Sequence, residues 1–149
     1  MHRIINSLAV AEYNKSLRAV EINFNGQGPS ALYHDTMDIA MNISMIHQTN
    51  NWLFYKDDFT DISPNAFIAF VRKWSKKACT MHNAGLSNNI CKVALVTSAE
   101  SYLYLISEHE WLENPKKKFG SLHLKLFTEA EQAKKFLNNG YSSRVLMNS

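Results

Sequence analysis

Residues 51–74 read NWLFYKDDFTDISPNAFIAFVRKW and contain, in order, an apolar run, an acidic turn and an amphipathic segment. The apolar run at 52–55 is too short for an amphipathic helix and favours a strand that is covered on both faces. Ser63 is a suitable N-cap, and Pro64 suits the first helical position, where its missing N–H costs nothing. The predicted helix then has an apolar stripe formed by Phe67, Val71, Trp74 and Ala78. The stretch therefore predicts one strand–turn–helix unit.

The segments before this unit predict a hairpin and a helix. Within residues 8–26, apolar side chains at 20, 22 and 24 alternate with polar ones, as in a strand with one polar face. We expect two strands joined by a tight turn at Asn14, a residue type that tolerates the left-handed conformation. A helix is predicted from Leu32 to about Gln48, because isoleucines recur there at spacings of four and three.

Two further strand–helix units are predicted after it. The run KVALV at 92–96 favours a second covered strand, and SLHLKLF at 121–127 alternates like a half-buried one. After each strand a threonine is followed three positions later by a glutamate, the pattern of a capping box. These boxes predict helices over 97–114 and from 128 to just before Gly140.

The predicted order of elements is ββαβαβαβα. Strands separated by helices need crossover connections, which are right-handed and make the later strands parallel. The predicted fold class is therefore α/β, with a mixed sheet to which the N-terminal hairpin adds an antiparallel strand. We expect a single domain over residues 1–149, with a core at about 7–138 and a C-terminal tail at 139–149.

Composition is that of an ordinary globular protein, with 46% hydrophobic and 19% charged residues. The net charge is only +3 and the one basic run is Lys116–Lys118, so we expect no nucleic-acid partner. Cys79 and Cys91 form no CxxC pair, so we predict free thiols in a reducing compartment, with no metal and no cofactor. No apolar run approaches the ~18 residues of a membrane span, and the N-terminus lacks a signal-peptide core. We expect a cytoplasmic protein without membrane contact.

Four short patterns along the chain occur together in one protein family. They are WLFYKD at 52–57, DIS at 61–63, CKVALV at 91–96 and FTEAEQAKKFL at 127–137. With the order of elements, they resemble the SpoIIAA-like (STAS-type) fold of anti-sigma-factor antagonists, most closely its uncharacterised bacterial members. Cys91 departs from the family, which usually has a glycine there. The resemblance implies a regulatory, non-enzymatic domain that binds a protein partner or forms a homodimer.

The turn before the second predicted helix carries two candidate sites. In the family, a serine or threonine at this helix start is the phosphoacceptor, and Ser63 occupies the matching position. Pro64 removes one N–H donor here, however, and the Ser-Gly that usually follows the acceptor is absent. Alternatively, Asp57, Asp58 and Asp61 form an acidic site, because carboxylates at the ends of parallel strands bind Mg²⁺. The simpler interpretation is an N-cap with solvated acids near the positive end of a helix.

Two further patterns involve histidine and aromatic residues. His34 and Asp38 are four positions apart and predict either a weak two-ligand site or, more simply, a surface pair. Tyr104 and Trp111 lie seven apart on one face of the third predicted helix. Aromatic residues outside a core stripe indicate an interaction surface, whereas the alternative is a wide core stripe.

Three functions remain open at this stage, each with its own structural consequence. A protein-interaction domain requires an exposed apolar patch. A domain that binds a small apolar ligand requires an enclosed apolar pocket between the sheet and the helices. A metal-dependent enzyme or phosphoacceptor requires that the three aspartates of the turn converge, with raised pKa values, on one concave site.

Overall fold

The computed structural model describes the backbone of residues 3–85, 91–112 and 122–147, and within these ranges the side chains of 6–82, 91–110, 112 and 122–138. Within these described ranges, six strands and four α-helices follow one another. They are β1 (Arg3–Ile5), β2 (Val10–Asn14), β3 (Ala19–Asn23), α1 (Ser30–Ile46), β4 (Asn51–Tyr55), α2 (Pro64–Gly85), β5 (Cys91–Val96), α3 (Ala99–Glu108), β6 (Leu122–Phe127) and α4 (Ala130–Met147). A short 3-10 turn at Glu110–Leu112 follows α3.

The strands form one mixed sheet in the order β1-β2-β3-β4-β5-β6. Strands β1, β2 and β3 are antiparallel neighbours, and β3 to β6 are parallel neighbours. The predicted hairpin and the predicted parallel crossovers are therefore confirmed. Strand β1 was not predicted, because its three residues show no alternation of polar and apolar side chains. They form a strand only by pairing with β2.

Helices cover the two faces of the sheet unequally. Helices α1, α2 and α3 lie over one face, whose core includes Ile22, Phe54, Phe67, Val71 and Leu95. The other face is covered by α4 over the β4–β6 part of the sheet, with a smaller core of Leu53, Ala94, Val96, Ala133 and Leu137. Strand β4 lies between both layers, and its Trp52, Leu53 and Phe54 are fully buried. The expectation of a strand covered on both faces is confirmed.

The hairpin turn differs in detail from the prediction at Asn14. The left-handed residue is Arg18, with φ 54°, rather than Asn14. Asn14 instead closes the turn with its side chain, whose Oδ1 accepts hydrogen bonds from the backbone N–H of Leu17 and the hydroxyl of Ser16, both at 3.0 Å. Asparagine therefore serves here as a side-chain acceptor within the turn.

Two helix boundaries also differ from the prediction. The N-cap of α3 is Ser98, which accepts from the N–H of Ser101 at 3.2 Å, while Thr97 is buried at the end of β5. Helix α3 ends at Glu108 rather than near Asn114, and α4 continues past Gly140 to Met147. A single glycine inside a helix costs only about 1 kcal/mol relative to alanine, so Gly140 does not by itself end α4.

The loop between β3 and α1 is fixed to the start of β2 through Gly26. Its N–H donates to the carbonyl of Leu8 at 2.9 Å. A Cβ on Gly26 would lie 2.0 Å from the carbonyl oxygen of Ser7, so only glycine fits this approach of two backbones. The contact places residues 27–29 beside the turn that follows β4. Within the residues described, no helix is both long enough and apolar enough to cross a bilayer.

Candidate functional site

Lys56, the residue after β4, is directed into the protein. Its side chain is fully buried, and its Nζ lies 3.3 Å from Oδ1 of Asp61. The same ammonium lies 5.3 Å from the ring centroid of Phe59, 5.5 Å from that of Tyr33 and 5.6 Å from that of Phe67. These three rings form an aromatic cage, and cation–π attraction is strongest where, as here, water is excluded. The buried charge is thus compensated by one carboxylate and three rings.

Asp61 accepts hydrogen bonds from three separate parts of the chain. Besides Lys56, the Tyr33 hydroxyl donates to its Oδ2 at 2.6 Å and the Gly28 N–H at 3.3 Å. Burial disfavours the charged carboxylate, but the hydrogen bonds and the ammonium outweigh it and hold the pKa of Asp61 below its ordinary value. Burial, together with the bond to Asp61, raises the pKa of Tyr33. Because its oxygens accept from Lys56 in the turn and from Tyr33 in α1, the ionised carboxylate of Asp61 links the turn to α1.

Asp57 and Asp58 lie on the outer side of the same turn and are exposed. Asp58 accepts from the Thr60 N–H at 2.8 Å and from the Gln27 amide at 3.0 Å, and the bonds from Thr60 and then Gln27 lower its pKa. The three aspartates therefore do not turn toward one point. In the described part of the chain, no group of three or more His, Cys, Asp or Glu side chains is placed to hold a metal ion.

The order of the described strands predicts no ligand crevice above this turn. In open α/β sheets, ligands bind where the strand order reverses, beyond the carboxyl ends of the strands. Strands β3 to β6 are added in one direction, so the order does not reverse among them. The carboxyl end of β4 is instead closed by its own loop, whose Lys56 N–H donates to the carbonyl of Val96 at 3.0 Å.

Ser63 is exposed at the start of α2. Its Oγ accepts from the N–H of Ala66 at 3.1 Å, and its carbonyl accepts from the N–H of Phe67 at 2.9 Å. This is the geometry of the predicted N-cap, with Pro64 as the first helical residue. The hydroxyl is accessible for modification, but its oxygen already accepts the N-cap hydrogen bond of α2.

Asn65, one residue into α2, joins this helix to α3 and to the turn after it. Its Nδ2 donates to the hydroxyl of Tyr104 at 2.9 Å, and its Oδ1 accepts from Nε2 of His109 at 2.8 Å. Tyr104 is nevertheless 43% exposed, and its neighbour Leu103 is 67% exposed. Trp111, the second predicted residue of this surface, is not on α3: its backbone is in the 3-10 turn Glu110–Leu112, so the two residues do not share a helix face as predicted. The side chain of Trp111 lies outside the described residues.

His34 and Asp38 lie on the exposed side of α1, next to α2. The His34 ring packs edge-on against Phe70, with ring centroids 5.4 Å apart. Both residues border a groove of about 280 Å³ between the helices, together with Met37, Trp74, Lys73 and Lys77. Two cationic side chains at the same groove disfavour a metal ion there, so the pair is better described as part of the groove wall.

The sequence interpretation missed a basic face on α2. Arg72, Lys73, Lys76 and Lys77 lie within one and a half turns of this helix, and the three lysines are exposed. We name these four residues the basic ridge. Their spacing of one, three and one was readable from the sequence, because positions four apart on a helix lie on one face. A search for consecutive charges alone finds Lys116–Lys118, which lie outside the described residues.

Two polar contacts are buried under the helices. His82 of α2 and Ser44 of α1 meet with Nε2 and Oγ 2.9 Å apart, and Ser44 donates its own proton to the carbonyl of Met41. Burial lowers the pKa of His82. Cys79 and Cys91 are also buried, and a hydrogen bond between them, with burial, raises the pKa of Cys91. The neutral forms of these groups suit internal packing, and thiols of raised pKa are poor nucleophiles.

The face of the sheet that α4 leaves open is polar. Glu12 of β2 and Glu21 of β3 are directly opposite each other in the register. Glu21 accepts from Asn14 at 2.8 Å and from the Tyr55 hydroxyl at 3.4 Å. Burial, followed by the charge of Glu21, raises the pKa of Tyr55 to about 12. The groove here measures about 220 Å³, and Glu21 in its wall is hydrogen-bonded by side chains of the sheet strands.

No protein-family model, curated protein or solved structure matches this chain.

Proposed function

We propose that the protein is a non-enzymatic interaction domain of SpoIIAA-like fold, which acts by binding a protein partner or a second copy of itself. The observation that carries the proposal is the pair Leu103 and Tyr104 on α3, which are 67% and 43% exposed. Large apolar side chains next to each other on an exposed helix are typical of contact surfaces. In α3 itself, Leu105 is fully buried, so the helix rests on the protein while these two residues face outward.

The arrangement of strands supports the SpoIIAA-like part of the proposal. Four parallel strands are added in one direction, with α1, α2 and α3 packed on one face. The order of elements along the chain, a hairpin followed by alternating helices and strands, is the one on which the resemblance to anti-sigma-factor antagonists is based. A fold does not by itself determine function, so the function is argued from the residues that the surface presents.

The acidic turn favours this proposal over an enzyme or a phosphoacceptor. An acid–base or metal site requires carboxylates that converge and whose pKa values are raised by one another. Asp58 and Asp61 instead have lowered pKa values and hydrogen-bond partners within the chain. Ser63 as a phosphoacceptor would place further negative charge near Asp61, while its Oγ is already used as the N-cap.

The alternative of a small apolar ligand has a weaker basis. The groove between α1 and α2 is lined by Met37, Phe70 and Trp74 and measures about 280 Å³. Ligand pockets commonly enclose about 300–1,000 Å³. This groove is smaller and lies between two helices rather than between helices and sheet, so it suits a side chain of a partner better than a free ligand.

The proposal is tested by native mass spectrometry of the purified chain over a range of concentrations. A bound protein or a concentration-dependent dimer supports it, and a retained small molecule of stoichiometric mass contradicts it. Leu103→Ser should abolish the complex. The matched control is Ile46→Ser, because Ile46 is a similarly exposed aliphatic residue, at 59%, on α1. If both variants, or neither, lose the complex, the surface on α3 is not the contact.

A further inference from the structure

The basic ridge concentrates positive charge on the central helix of the helix layer. Arg72, Lys73, Lys76 and Lys77 occupy six consecutive positions with no acidic residue among them. At 1.5 Å per residue, the ridge spans about 8 Å along the helix axis. The chain as a whole carries only +3, so this local density is far above the average. Such a field attracts an anionic partner and speeds its encounter with the surface.

Acidic residues are exposed on the elements on either side of α2, and Asp38 lines the same groove as Lys73 and Lys77. Asp35 and Asp38 are exposed on α1, and Glu108 and Glu110 are exposed at the end of α3 and just after it. The positive charge is therefore on a strip about one helix wide along α2, with carboxylates on the neighbouring elements. A duplex nucleic acid presents phosphates across a groove of about 6–12 Å and would meet the flanking carboxylates. A single acidic protein segment would follow the strip without meeting them.

Apolar grooves run along both sides of the ridge and share Lys73 as a lining residue. The groove toward α1 contains Met37, Phe70 and Trp74, and measures about 280 Å³. The groove toward α3 contains Ile68 and Ala69, and measures about 270 Å³. Apolar side chains of a bound segment would fit these grooves while its acids meet the lysines between them. Charge and shape therefore select the same kind of partner.

We propose that the basic ridge of α2 is the docking site for an acidic, amphipathic segment of a partner protein, whose apolar side chains enter the two flanking grooves. This inference rests on the proposed interaction function and names the partner chemistry and a contact surface on the helix layer. Carboxylates would pair with Lys73 and Lys77, and Lys73 would lie at the centre of the contact because it borders both grooves. Rim charges of this kind control the association rate and its salt dependence.

Fluorescence anisotropy with the full chain tests the site. The probe is a labelled peptide with glutamates on one face of a helical pattern and leucines on the other. We expect micromolar binding that weakens as salt is raised. Lys73→Glu with Lys77→Glu should weaken binding by about tenfold or more, which corresponds to about 1.4 kcal/mol. The milder pair Lys73→Gln and Lys77→Gln serves if charge reversal prevents folding.

The matched control reverses two lysines on the other side of the sheet. Lys134→Glu with Lys135→Glu changes net charge equally on α4 and should leave peptide affinity unchanged. A peptide with the same glutamates but serine for leucine should bind more weakly, because the grooves lose their occupants. The proposal would be overturned if the amphipathic peptide did not bind, or if both double variants lost peptide affinity equally. It would also be overturned if duplex DNA bound the ridge more tightly than the peptide does. A complex in native mass spectrometry that persists in the Lys73 and Lys77 variants would overturn the ridge alone and leave the interaction function in place.

Discussion

The ammonium of Lys56 and the carboxylate of Asp61 form an ion pair of 3.3 Å, with side-chain exposures of 0% and 9%. The two residues stand five positions apart at the ends of the turn between β4 and α2. Their pairing closes that turn over the carboxyl end of the sheet. A charge so deeply buried is tolerated only with a partner, because desolvation costs several kcal/mol for each ion.

Breaking this pair should destabilise the protein strongly and asymmetrically. Asp61→Asn removes the counter-charge and leaves the ammonium of Lys56 buried among neutral partners, and we expect a loss of about 3–5 kcal/mol in the free energy of unfolding. Lys56→Met should cost less, because Asp61 keeps its donors Tyr33 and Gly28. Urea unfolding followed by circular dichroism measures both variants. A loss under about 1 kcal/mol for Asp61→Asn would mean that the pair behaves like a surface ion pair.

His82 should make stability depend on pH near neutrality. Burial lowers the folded-state pKa of His82 below the ordinary 6.5. Between that folded-state pKa and pH 6.5, the unfolded chain therefore binds a proton at His82 that the folded chain does not bind. Stability is therefore full above pH 6.5 and falls as the pH drops from there toward the folded-state pKa. Thermal or urea unfolding at a series of pH values measures this slope.

The controls for His82 are two glutamine variants. His82→Gln keeps a side-chain donor near Ser44 and should flatten the slope, at some cost in stability at every pH. His34→Gln changes an exposed histidine on α1 and should leave the slope as in the parent. If the slope survives in His82→Gln, another group carries it. Asp61 acts in a separate window, because its stabilisation is lost only as the pH falls below its ordinary 3.8.

Ser63 should be replaceable by any residue that can cap a helix. Ser63→Ala removes the acceptor for the Ala66 N–H and should lower the free energy of unfolding by about 0.5–2 kcal/mol. Ser63→Asp retains an acceptor, adds favourable charge at a helix start and should stay close to the parent. Chemical denaturation of the three proteins checks the order. Ser63→Asp falling as far as alanine would show that the neighbouring aspartates dominate.

Local patterns were sufficient where each element carries its own signal. Pro64 after Ser63 marks the start of α2, and the stripe that follows is buried as predicted. The alternation in β3 and the apolar runs of β4 and β5 likewise identify strands. Propensity, pattern and capping agree in these elements, so tertiary packing does not change the outcome.

The misses have a different origin in each case. Strand β1 is defined only by its pairing with β2, and no sequence pattern in Arg3–Ile5 predicts that pairing. Thr97 and Ser98 are both suitable N-cap residues for α3. Thr97 is buried at the end of β5, so Ser98 takes the N-cap position. The burial of the Lys56 side chain was not predictable from the sequence, because lysine is almost never fully buried without a partner. The aromatic rings that surround it come from α1, α2 and the turn, which are brought together only by the fold. The basic ridge has a signal in the sequence, but the signal is the helical spacing of 72, 73, 76 and 77 rather than a run of adjacent charges.

The amide of Asn65 should hold α3 in place and so support the exposed pair Leu103 and Tyr104. Asn65→Ala removes the hydrogen bonds to Tyr104 and His109, each of which contributes about 0.5–1.5 kcal/mol. We expect hydrogen exchange to rise over residues 99–112 and not in the strands, because α3 loses its side-chain link to α2 while the sheet is untouched. Hydrogen-exchange mass spectrometry resolves the two regions.

Two variants separate this link from general weakening of α2. Tyr104→Phe removes one of the two bonds and should raise exchange over the same residues by a smaller amount. Thr80→Ala, on the same helix, removes only a bond to the helix's own carbonyl at Lys76 and should leave α3 protected. Because α3 presents the proposed contact, Asn65→Ala should also weaken any complex that Leu103→Ser abolishes. Equal protection of α3 in the Asn65 and Thr80 variants would show that packing of Leu105, and not the amide, positions the helix.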